Sequence, residues 1–105
     1  MRRRLLSITL ERGYVVLTAE QARQITIEWL KVGRLENVVA LGLPEIDDRY
    51  HVWRVPLLNK ANGELIGEVA IDAYTSLILE NRSTRFEILE ARLLGRSVET
   101  AKTSR

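Results

Sequence analysis

The spacing of apolar residues changes period close to Gly33, from helix to sheet, and that change sets what the chain can become. Before it, Ala22, Ile25, Trp29 and Val32 recur at helical spacing, and Ile27 and Leu30 widen the stripe. After it, the apolar residues of 38–46, 50–58 and 65–71 follow extended patterns suited to a sheet. A chain of 105 residues, 46% hydrophobic and 29% charged, is long enough to pack such a helix on such a sheet as one domain. The expected class is α+β: an antiparallel sheet of three to four principal strands on one helix, with a short C-terminal helix.

Local signals set the boundaries. Thr18-Ala19-Glu20-Gln21 has capping-box spacing, so a helix is predicted over 19–32, with Gly33 as its stop. Upstream, Leu6, Ile8 and Leu10 alternate with Ser7 and Thr9, which predicts a hairpin through Glu11-Arg12-Gly13 with Tyr14–Leu17 as the return strand. Gly42 and Pro44 make the run 38–46 an irregular or edge strand, and Asp47-Asp48-Arg49 a turn. YHVWRVPLL, residues 50–58, suits a pleated surface, and Pro56 asks for an edge position or a bulge. After the loop ending Asn62-Gly63, Leu65, Gly67, Val69 and Ile71 share one face. Leu77–Leu79 reads as a short third strand. Ser83 or Thr84, the latter with Glu87, would cap a final helix with Phe86, Leu89 and Leu93 on its buried side.

Charge is concentrated at the ends. Arg2, Arg3 and Arg4 precede the presumed domain at 5–94, and Lys102 and Arg105 lie in the tail 95–105; residues 5–95 carry ten basic and thirteen acidic side chains. The basic ends could hold phosphates of a nucleic acid, but no reading motif accompanies them. No apolar run approaches the ~20 residues that span a bilayer, and the opening MRRRLLSITLERG breaks off as a leader, so a cytoplasmic protein without a membrane contact is expected. The chain has no cysteine, which excludes disulfides and thiolate metal sites.

The stretch Val69-Ala70-Ile71-Asp72-Ala73-Tyr74-Thr75, continued by Leu77-Ile78-Leu79, resembles the ending characteristic of the PepSY family of small α+β modules. That ending is an apolar strand, an Asp, a small residue, a variable one, Thr-Gly and another apolar strand. The resemblance covers roughly residues 18–80. Ser76 stands where the family usually has glycine, and serine accepts positive φ less readily. Asp72 and Thr75 are structural turn residues, the carboxylate accepting amides two or three residues on. The resemblance implies a non-catalytic module that binds peptides or regulates peptidases.

The remaining chemistry is sparse. His51 is the lone histidine, and nearby Glu45, Asp47 and Asp48 are explained by a turn, so no metal or other cofactor is expected. The serines lie in no nucleophile pattern, and no acid, base and nucleophile converge, so no enzyme is expected. Tyr50, Trp53 and Arg54 are the candidate partner-binding residues, because the strand 50–58 is apolar on both faces. A protein or peptide partner is the expected ligand, through an aromatic face or a sheet edge. The alternative is a small, antitoxin-like regulator bound to nucleic acid through the basic ends. An unpaired edge would also permit homodimerisation.

Overall fold

A computed structural model describes residues 13–95 of the chain. They form α1 (Ala19–Val32), β1 (Val39–Leu41), β2 (Glu45–Asp47), β3 (Val52–Asn59), β4 (Leu65–Asp72), a 3-10 turn (Glu80–Arg82) and α2 (Phe86–Leu93). The architecture is α+β, with one four-stranded antiparallel sheet.

α1 begins on the capping box. Thr18 Oγ1 accepts the Gln21 amide at 3.1 Å, and Gln21 Oε1 accepts those of Thr18 at 3.0 Å and Leu17 at 2.6 Å. Its end differs from expectation in mechanism. Arg34, not Gly33, takes the left-handed conformation (φ +60°), while Gly33 has φ −88°. The Arg34 amide donates to Lys31 O and the Leu35 amide to Leu30 O, a Schellman closure sealed by two buried leucines. Gly33 is needed for space, since a methyl there would lie 2.6 Å from the Phe86 ring.

The buried stripe of α1 is Ala22, Thr26 and Leu30, with Ile25 and Trp29 half-buried beside it. Thr26 enters the core because its hydroxyl donates to Ala22 O at 2.9 Å. Val32, expected on that stripe, is 77% exposed. Trp29 stacks on Phe86 of α2, with ring centroids 4.4 Å apart and planes 27° off parallel.

β3 is the central strand. It pairs with β4 on one side and with both β1 and β2 on the other. β1 and β2 are two pieces of one edge strand, with Leu41 opposite Leu57 and Glu45 opposite Arg54. Gly42-Leu43-Pro44 therefore faces only Val55-Pro56, a one-residue bulge. Pro56 O accepts the Gly42 amide at 2.9 Å, so the proline's missing donor points at this same edge. A side chain on Gly42 would meet the Pro56 ring at 2.9 Å. Pro56 thus sits in a central strand, accommodated by the bulge rather than by an edge position.

A second register shift, at Leu57/Leu58 against β4, reverses one expected face. It turns Ile66 inward, at 4% exposure, and leaves Leu65 outside at 70%. Trp53, Val55 and Leu57 of β3, with Ile66, Val69 and Ile71 of β4, then form the sheet's core face. Leu30 of α1 and Leu89 of α2 complete it. Each such side chain contributes about 1.5–3 kcal/mol by leaving water.

The outer edge of β4 departs most from expectation. Leu77–Leu79 makes one bridge, Ile71 to Ile78, instead of a strand. Ser83 and Thr84 do not cap α2, which starts after Arg85 without a side-chain cap. Their hydroxyls accept amides of β4 instead: Ala70 to Ser83 Oγ at 3.0 Å and Glu68 to Thr84 Oγ1 at 3.1 Å. A buried strand edge needs acceptors more than an exposed helix end does.

Tyr14–Leu17 is not a strand. Its amides at Val15 and Val16 both donate to Ala73 O, at 2.8 and 3.0 Å. The predicted strand at 6–10 lies outside the described residues.

Candidate functional site

Two turns meet at the end of the sheet where β2 enters β3 and β4 ends. In the first, Asp47 Oδ1 accepts the Arg49 amide at 3.1 Å, and His51 adopts φ +58°. In the second, Asp72 Oδ1 accepts the amides of Tyr74 at 2.8 Å and Thr75 at 3.2 Å. Thr75 Oγ1 accepts that of Leu77 at 3.2 Å. Ser76 takes φ +69°, a conformation that costs a non-glycine residue about 1–2 kcal/mol. The Ala73 amide donates to His51 O at 2.9 Å and ties the turns together.

At this doubly strained corner Tyr14, Tyr74 and the chain's one histidine pack together, and Tyr50, the third tyrosine, precedes that histidine in the turn. The Tyr14 hydroxyl and His51 Nδ1 are 2.9 Å apart and share a hydrogen bond. Tyr74 lies against both, 5.2 Å from the Tyr14 ring and 5.0 Å from His51. Tyr50 is 54% exposed, with the Arg49 and Arg82 guanidinium carbons 5.3 and 5.6 Å from its ring centroid. These are cation–π distances. Strain of this kind persists only where surrounding contacts impose it, and it is concentrated at functional positions.

Of the three expected partner residues, Tyr50 belongs to this surface. Arg54 lies further along β3 and is half-exposed, but both arms are engaged: Nη2 meets Asp47 Oδ2 at 3.3 Å and Nη1 meets Glu68 Oε2 at 3.1 Å. It ties β2, β3 and β4 together. The bond to Asp47 chiefly, with the charge of Glu68, raises its pKa further. Partial burial pushes the Asp47 carboxyl upward, but bonds from Arg49 and Arg54 outweigh this and hold it below the usual value.

Trp53 is a core residue, 8% exposed, its Nε1 donating to Val16 O at 2.9 Å. A partner cannot reach its ring in this fold. The interior choice between the two faces of β3 was made by α1, which covers the Trp53 side. Arg2, Arg3, Arg4, Lys102 and Arg105 lie outside the described residues.

Sequence reasoning missed Tyr14, Tyr74, Arg49 and Arg82, because turns distant in sequence bring them together. The tyrosine count, three in a chain with one phenylalanine, was the available signal. Among the described residues no group of acidic or histidine side chains could hold a metal ion, and no helix is long and apolar enough to cross a membrane. Comparisons with protein-family models, with curated proteins and with solved structures give no match to this chain.

Proposed function

We propose that this chain is a non-catalytic module that binds a protein or peptide, as its resemblance to the PepSY family implies. The contact surface in this reading is the aromatic corner: Tyr50 and Tyr74, buttressed by Tyr14 and His51 and bordered by Arg49 and Arg82. The observation that carries it is the packed cluster of Tyr14, His51 and Tyr74, with an exposed Tyr50 next along the chain and two arginines over its ring. Tyrosine and arginine dominate binding hot spots, since they offer large contact area with few rotors to freeze. Side-chain recognition fits this sheet better than strand addition, because β1 and β2 are three-residue pieces separated by a bulge.

The test is affinity capture by the tagged full chain from lysate of its native host, with and without nuclease, against a Tyr50→Ala/Tyr74→Ala variant. A defined protein held by the wild type through nuclease treatment, and bound at least about tenfold more weakly by the variant, supports the reading. Equal capture by both forms moves the surface elsewhere. Loss on nuclease treatment replaces the reading with nucleic-acid association.

A further inference from the structure

At the opposite end of the sheet, where α1 has ended and α2 stops, Leu35, Val38, Leu93 and Leu94 line an open groove of about 670 Å³. Val38 is 45% and Leu94 68% exposed, so the apolar lining faces water. Two opposite charges border it, Lys60 from the β3–β4 loop and Glu90 from α2. Neither has an ion-pair partner among the described residues.

We propose that this groove seats a second copy of the chain in a two-fold dimer. A two-fold interface brings a patch against itself, so it must be self-complementary. One cation and one anion beside an apolar strip meet that requirement: Lys60 of each copy faces Glu90 of the other. Exposed Leu94, at the groove's rim just past the end of α2, supplies the apolar projection that the other copy receives. The C-terminal continuation, which leaves Gly95 beside the groove, is a poor occupant, since RSVETAKTSR carries Val98 as its only large apolar residue. The groove is remote from the aromatic corner, so the dimer does not depend on the binding reading above.

The test is sedimentation equilibrium of the full chain from micromolar to millimolar concentration. The expected result is a reversible shift from the 12.0 kDa monomer to twice that mass. Leu94→Glu should remain monomeric throughout. Lys60→Glu and Glu90→Lys should each weaken the dimer about tenfold, because each homodimer then sets like charges opposite one another twice. An equimolar mixture of those two variants should recover it, since the pairs are again opposite in sign. An ion pair within one chain would give no such recovery. Circular dichroism melts confirm that each variant is folded. The proposal is overturned by a wild type that stays monomeric, by a dimer insensitive to Leu94→Glu, or by a mixture that does not recover. A chain ending at Gly95 that dimerises when the full chain does not would assign the groove to the tail and also overturn it.

Discussion

Along the outer edge of β4, outward-facing backbone groups from Ile66 to Asp72 find partners outside the sheet, whereas along β1 and β2 the edge is simply broken. On the first edge, Arg92 Nη1 donates to Ile66 O and the Thr84 amide to Glu68 O, at 2.8 and 2.9 Å. The hydroxyls of Thr84 and Ser83 take the Glu68 and Ala70 amides. Leu79 and Leu77 close the series on Ala70 O and the Asp72 amide. On the second edge, the Gly42-Leu43-Pro44 bulge, set against Pro56 of β3, divides the ladder. Both devices stop another strand from adding. The first depends on side chains far away in sequence, and each of them is a point of failure. The second has little left to lose.

Proline gives the sharpest test of this contrast. Ala70→Pro removes the amide that Ser83 accepts and should destabilise the fold by about 3 kcal/mol or more, read by urea denaturation. Thr84→Val keeps the shape but strands the Glu68 amide. A loss of about 1–3 kcal/mol is expected, with faster hydrogen exchange at Glu68. Behind the other edge, in β3, Pro56→Ala should cost no more than about 1 kcal/mol, mostly through a freer unfolded chain. A large loss there would mean that the bulge is held by the proline ring rather than tolerated because of it.

The smallest effect concerns Asp47, on the broken edge. Its folded pKa lies below the ordinary value, so its contribution is complete above the unfolded-state pKa and is lost as pH falls through the folded one. Wild-type stability should therefore fall more steeply than that of Asp47→Asn between about pH 5 and about pH 2. Parallel curves would show that the bonds from Arg49 and Arg54 contribute nothing net.

Two near-identical sequence signals show what could be read in advance. Thr18-x-x-Gln21 and Thr84-x-x-Glu87 both have capping-box spacing, yet only the first caps a helix. The first competes with nothing, and local chemistry decides it. The second passes an unsatisfied strand edge, whose demand for acceptors is invisible in a local window. The same division runs through the rest of the fold. α1, the β3–β4 hairpin and the Asp72 turn are set by neighbouring residues and were legible. The inward turn of Ile66, the burial of Trp53 and the exposure of Val32 follow from a bulge and from helix placement. The aromatic corner was legible only in Tyr50, since its other members arrive from turns that sequence order separates.

The two tryptophans sit in unlike places, and that gives the molecule two optical reporters. Trp53 has its indole N–H on Val16 O inside the core, while Trp29 lies half-buried against Phe86 between the two helices. In a Trp53→Phe form, emission follows the docking of α2 on α1. In a Trp29→Phe form, it follows closure of the segment before α1 over the sheet. Refolding traces that diverge between these forms would order the two events in time, and coincident traces would make them one cooperative step.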